Sequence, residues 1–598
     1  MTAQPATVAD ETTAQPTSAR APRRTRLAGH RLILTGYLAV SVVLMAGLWL
    51  DPIGRHHSDN PGDDQVLFEW MLGHTAHALT GADHPLFSTL MNQPWGANLM
   101  ANTSVVAIGI LLAPVTWLFG APVSYAVAMT LGLFGTAAGW YHLLRNHLRL
   151  APVAAVVGGA LCGFGPSTIA HANGHLNFTA MVCVPFIIIA ILRLREPGRV
   201  VRGGLRLGAL IVVQIFIGEE IVFLIALFMA VFIALYALTD WGELRPVLGR
   251  CAAAVGLAAA VSLVVLAYPL WMQFLGPQSY SGIPWPAEEF PSDVASFVSF
   301  PTDSVAGRIQ LPNYRVRHNI TEENTFFGLP LVILTVCLVV MFFRRHKALR
   351  SLTITAGVFA LLSLGSEIRV NGNLIGIPGP YALVHSLPLF DSTIPTRFAL
   401  VLLPVVAILV AHALDRVSRM DIEPRRVWYL AIGLALVPLI PLPPSTEGRE
   451  PVPQFITSGH WRDYVADGGT MVPVPIPEAV QYDGLRWQAA ADFGFAVPLG
   501  AFIGPDEDGH GQWSGRHLPT ADLIIGGMTR GSRPVVTDDD RRQAAADLAV
   551  WRADVVVLGP HEYHETLKNL LTRLLGPPRE VDDVLLWDVD PATGAVLN

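Results

Sequence analysis

Short arginine clusters punctuate the apolar stretches of this chain, and all of them fall on one side of a membrane if the chain crosses about eleven times. Arg20, Arg23, Arg24, Arg26 and Arg31 precede the first apolar stretch. Clusters recur at Arg145/Arg149, 193–206, Arg245/Arg250, 344–350 and 416–426. Between them, 51–102, 166–177, 273–325 and 366–396 are poorer in Lys and Arg for their length. An excess of Lys and Arg in short loops marks the cytoplasmic side, so the N-terminus is expected inside and the alternate loops outside.

Composition points the same way. A chain of 598 residues with 52% hydrophobic and 15% charged residues and a mean hydropathy of +0.44 is too apolar to be a soluble protein. The expected class is an α-helical polytopic membrane protein. A spanning helix needs roughly 20 apolar residues, and 32–50, 124–143, 222–239, 251–270, 326–343, 351–365, 398–414 and 427–442 meet or approach that. The stretches 151–165 and 178–192 are shorter but purely apolar. The first stretch lacks a small-residue cleavage site and is followed by more spans, so it reads as an anchor.

Parity decides two further places. Residues 103–143 run from an outer loop to the inner Arg145, which requires an odd number of crossings. Residues 103–120, broken by Pro114, are therefore expected to lie on the outer face as a juxtamembrane or re-entrant element. Arg206 and Arg245 both mark the inner side, so the chain must turn back at Gly218, Glu219 and Glu220. The expected organisation is a disordered cytoplasmic segment 1–30, a transmembrane region 31–445 with outer loops 51–123, 166–177, 273–325 and 366–396, and an extracytoplasmic domain 446–598. In that last domain 471–476, 554–558 and 584–589 read as strands. Residues 538–552, capped by Thr537, and 564–575 read as helices. A small α/β domain is expected. The net charge of −7 comes with no polybasic patch, so no nucleic-acid partner is expected. Cys162, Cys183, Cys251 and Cys337 all lie in apolar stretches, where neither a disulfide nor a thiol site is expected.

Chemistry is expected on the outer face, because ionisable groups at membrane depth are costly and by default functional. The first outer loop carries Asn60-Pro-Gly-Asp63-Asp64-Gln65 and then Phe68-Glu69-Trp70. Two carboxylates there could act as a general base or a metal ligand, or simply cap a helix. Glu219 and Glu220 have no basic residue within a dozen positions, so at least one should face a polar cavity or a partner. His171 and His175 in His171-Ala-Asn-Gly-His175 stand four apart, a helical spacing for metal ligands. Gly174 between them favours a loop lining a polar site. Gly276-Pro-Gln278-Ser-Tyr280 and Glu322-Glu323-Asn324-Thr325 suit a lid or substrate groove. Arg397, where an outer loop enters a span, can hold a lipid phosphate bidentately or snorkel to headgroups.

Taken together, the acidic pair in an early outer loop, the juxtamembrane segment before the second span and the late outer-face arginine resemble the GT-C superfamily of membrane glycosyltransferases. The outer α/β domain behind the spans looks closest to its bacterial YfhO-like branch. Asn98-Leu-Met-Ala-Asn-Thr-Ser104, Gly276-Pro-Gln278, Glu323-Asn324-Thr325 and Pro395-Thr-Arg397 look similar to stretches of actinobacterial members. The resemblance implies transfer of a sugar from a polyprenyl-phosphate donor to an envelope glycan, lipid or protein acceptor, with inversion, on the outer face of a bacterial plasma membrane. It implies a first-loop general base, Asp64 or its neighbour Asp63, with Arg397 as the cation for the lipid phosphate. Glu219, Glu220, His171, His175, Gln278 and Glu323 become candidate substrate-binding residues. A divalent cation, used by some relatives, is the candidate cofactor, although no strong metal motif stands in the sequence. Two other classes fit many spans with intramembrane acids: a lipid or glycan transporter or flippase, and a non-catalytic envelope scaffold. No inverted internal repeat of the transporter kind is visible.

Overall fold

The computed structural model describes residues 23–58, 64–285, 290–309, 316, 319–478, 481–528 and 535–597. Asp63 therefore lies outside the described residues. Each stretch read above as a span is helical over most of its length, with 178–192 broken at 180–182. Among the described residues, four helices are long and apolar enough to cross a membrane: Ala121–His147, Pro152–His171, Glu219–Leu275 and Pro395–Val417. Shorter apolar helices are Gly29–Leu44, Val106–Phe119, Cys183–Arg193 and Leu329–Phe343.

Glu219–Leu275 kinks at Asp240 (φ −153°, ψ 54°), between the two stretches read as separate crossings. Lys347 reaches Asp240 at that kink, 2.6 Å away. Gly218, in extended conformation, separates Val200–Ile215 from Glu219–Leu275, so the chain does reverse where the two glutamates stand. The two helices then run against each other so closely that a Cβ on Gly204 would meet the Ala254 carbonyl oxygen at 2.7 Å. Small residues permit such backbone approach where no hydrophobic force drives helices together. Val106–Phe119 packs beside Asp64–Ala78 and Ala121–His142, with Gly120 at φ +85° turning the chain between the latter helix and itself.

Strands Thr470–Val474, Ala553–Leu558, Arg579–Val581 and Val584–Asp588 form one four-stranded sheet, with only the 470–474/553–558 pair parallel. Helix Asp538–Trp551 starts in a reciprocal cap between Thr537 and Asp540, which satisfies two otherwise orphaned N–H groups. This C-terminal unit sits on the first loop. Asn92 N–H donates to the Leu499 carbonyl at 2.7 Å, the Trp70 indole donates to Gln488 at 2.6 Å, and Asn102 exchanges two bonds with Ile503. Phe455, Trp461 and Phe495 share one core with Trp70, Tyr125 and Phe398. A second core, holding Trp551, Trp587 and Leu571, is local to the unit.

The chain behind this unit also clasps the first loop. Strand Arg55–His57 pairs antiparallel with Thr446–Gly448. Arg449 donates to Glu69 at 2.9 Å with both side chains buried, and to the carbonyls of Pro52 and Ile53. Glu69 also accepts from Gln65 at 2.8 Å, whose own carbonyl oxygen accepts from His57 N–H at 3.1 Å. Burial pushes the His57 imidazole from 6.5 down to about 4, with His56 adding repulsion. In the unfolded chain this ring protonates near its ordinary value, so stability is full above it and falls as pH drops towards 4. The loss is about 1.4 kcal/mol per pH unit and about 3 kcal/mol in total. Melting of the solubilised protein should accordingly be lower at pH 5 than at pH 7, and His57→Phe should narrow that gap.

Candidate functional site

Asp64 is the first residue of the helix Asp64–Ala78, where the partial positive charge of the helix N-terminus favours a carboxylate. Its Oδ2 lies 2.9 Å from His175 Nε2. The histidine reaches it because helix Pro166–His171 stops and a short helix, Leu176–Thr179, restarts just after it. Gly174 makes the break at φ +151°, a backbone that a side chain would strain. The break brings His171 Nδ1 to within 3.0 Å of His175 Nδ1. One neutral arrangement satisfies both contacts: His175 Nε2–H donates to Asp64, and His175 Nδ1 accepts from His171. The histidines thus meet across a loop junction and not along a helix face.

Glu322 extends the cluster. Its Oε1 lies 3.8 Å from His175 Nδ1 and accepts from Arg397 Nη2 at 2.9 Å and Nε at 3.1 Å. Asn324 donates to the other oxygen at 2.9 Å. Arg397 also donates from Nη1 to Glu220 at 2.8 Å, and its guanidinium lies over the Phe178 ring, 4.6 Å from the centroid. A continuous polar chain therefore runs Asp64, His175, Glu322, Arg397, Glu220. It is drawn from five separate places in the sequence.

Several candidates fall elsewhere. Glu219, though adjacent to Glu220, turns towards the first loop, where Thr103 donates to it at 3.1 Å. Glu323, the candidate of its pair, is committed to Thr302, whose N–H and Oγ1 donate to it at 2.7 and 2.6 Å. Its neighbour Glu322 takes the place in the cluster. The two sit at the end of a one-turn 3-10 helix, Ile320–Glu322, where successive side chains diverge widely, and nothing in the order Glu-Glu distinguishes them. Gln278 sits at φ +55° in the turn after Glu219–Leu275. Among the described residues, none of the cluster's hydrogen bonds involves it.

The cluster can hold a cation. One donor atom from each of His171, His175 and Glu322 lies within 4.8 Å of the others, a set of two imidazoles and a carboxylate that suits zinc or a similar first-row metal.

No protein-family model and no curated protein matches the chain. Among solved structures it is similar to the oligosaccharyltransferase AglB of Archaeoglobus fulgidus in complex with an inhibitory peptide and a dolichol-phosphate. Identity is 14% and the TM-score 0.49, over 89% of this chain and 70% of that one. The apo form of the Archaeoglobus enzyme gives 14% and 0.43, over 78% of this chain and 64% of that one. The chain thus spans about two thirds of that protein's length. ArnT of Cupriavidus metallidurans bound to undecaprenyl phosphate gives 13% and 0.41, over 94% and 98%.

Proposed function

We propose that this chain is a membrane glycosyltransferase that moves a sugar from a polyprenyl-phosphate donor to a cell-envelope acceptor. The observation that carries the reading is the polar chain itself. Asp64, an acid able to take a proton, and Arg397, a cation able to meet a phosphate, belong to one cluster at the ends of apolar helices. In this reading Asp64 takes the acceptor hydroxyl proton as the oxygen attacks the anomeric carbon. The bond from that carbon to the phosphate oxygen breaks with inversion, and the leaving lipid phosphate gains the charge that Arg397 faces. His175 holds Asp64 in place and His171 holds His175. Phe178 and Glu220 fix the guanidinium plane.

The carrier class is the one present in the two lipid-bound structures above. A GT-C-like arrangement of the YfhO-like kind, a bacterial plasma membrane, a cytoplasmic N-terminus and an outer unit 446–598 that binds acceptor complete the proposal. Nucleotide sugars stay in the cytoplasm, so a transferase working outside needs a lipid-linked donor. A deletion strain tests the whole. Mass spectrometry of envelope glycans and lipid-linked sugars should find one glycosyl unit lost and its lipid-linked donor accumulated, both reversed by the intact gene. An unchanged profile would overturn the reading in favour of transport or scaffolding.

The same reading includes a divalent cation held by His171, His175 and Glu322, taken up in place of the hydrogen bond between the two histidines. When bound it would place positive charge beside Glu322 and so favour an anionic donor next to Arg397. Elemental analysis of the purified protein should find bound metal, and the His171→Ala/His175→Ala double variant should lose it. Retention by that variant would remove the histidines from any metal site.

A further inference from the structure

Residues 370–390 contain no Asp, Glu, Lys or Arg, yet they form a loop that faces outwards. Strands Glu367–Val370 and Asn373–Pro378 make a hairpin whose turn residues, Asn371 and Gly372, have φ of +51° and +81°. Such a turn matches the twist of the strands it joins. The hairpin is held from within. Buried Asp293 accepts from Asn371 N–H at 2.9 Å and from Gly372 N–H at 2.7 Å, and Gly379 N–H closes the base on the Ser366 carbonyl at 2.8 Å. The buried Tyr381 hydroxyl pins the following loop to the Thr393 carbonyl at 2.8 Å.

With the backbone fixed in this way, large apolar side chains are left outside: Leu374, Ile375 and Ile377 on the hairpin, then Leu383 at 85% exposure, Leu387 and Leu389. A patch of that kind marks an interaction surface. Its neighbours say which one. The helix leading into it, Lys347–Leu362, exposes Ile354, Val358 and Leu361, and the chain leaving it enters the apolar helix Pro395–Val417. The patch therefore continues the exposed apolar face of Lys347–Leu362 past the end of that helix. Backbone groups at this depth need partners. Glu367 takes the Gly376 N–H at 3.1 Å, and Pro378 has none to satisfy.

We propose that the hairpin 367–378 and the loop 383–389 are seated in the interfacial layer of the leaflet on the site's side, with acyl chains covering the patch. This needs only that the chain lies in a membrane, and not the proposed activity. Ile375→Cys and Leu383→Cys, each carrying an environment-sensitive fluorophore, would be reconstituted in phosphatidylcholine vesicles containing nitroxide-labelled lipid. Val550→Cys on the exposed face of Asp538–Trp551 serves as the aqueous reference. After subtraction of the labelled unsubstituted protein, quenching at both loop positions should exceed the reference about threefold or more, as burial among acyl chains requires. Quenching equal to the reference at both positions overturns the proposal. So does cross-linking of Ile375→Cys between two copies without quenching, since a second copy would then cover the patch. Neither result bears on the glycan profile of the deletion strain.

Discussion

Asp64→Asn is expected to abolish sugar transfer while leaving the protein folded. The amide fills the same space at the start of Asp64–Ala78 and its oxygen can still accept from His175 Nε2, but it cannot take up a proton. Loss of a general base costs about 10²–10⁴-fold in rate. The variant would be compared with wild type at matched expression, by restoration of the missing glycosyl unit in the deletion strain. A fully active Asp64→Asn would pass the role to Asp63, and activity in both single variants and the double would end the general-base mechanism. His175→Gln should give a milder defect, about tenfold, because it loosens the base without removing it.

Arg397 is expected to separate stability from catalysis. Arg397→Met leaves Glu220 and Glu322 buried without their shared cation, and breaking such a pair costs about 3–5 kcal/mol. Arg397→Lys keeps the charge but cannot reproduce two bonds to Glu322 and one to Glu220 at once. It should fold better than the Met variant and still lose about 10²–10³-fold in transfer, the usual cost of removing a donor to developing charge. Neutralising both acids in the Met variant, with Glu220→Gln and Glu322→Gln, should restore melting and not transfer. Recovered transfer in that triple variant would exclude Arg397 as the phosphate partner.

Much of the helical layout was legible because arginine placement and apolar run length are properties of the chain alone. The reversal at Gly218 followed from two basic clusters that had to share a side, and the cap at Thr537 from its position ahead of three aspartates. The candidate site was legible only as a set of residue types. Asp64, His171, His175, Glu220 and Arg397 stand out because charge and imidazole are expensive beside spans. Which of Glu322 and Glu323 enters the cluster depends on how a one-turn helix rotates, and adjacent identical residues carry no sign of that. Glu219 and Glu220 divide for the same reason. The clasp made by Gln65, Glu69 and Arg449 was missed, since each reads as an ordinary polar residue until a partner nearly 400 positions away is known.

That clasp has a consequence for biogenesis. The helix that begins with Asp64 is held by Arg449 and by the strand Thr446–Gly448, all made long after the helix itself. During synthesis the first loop must wait, with Glu69 lacking its arginine, until the last helices have been made. Assembly of the acid end of the site is thus tied to completion of nearly the whole apolar region, and chains that stall earlier should emerge with Asp64 unplaced.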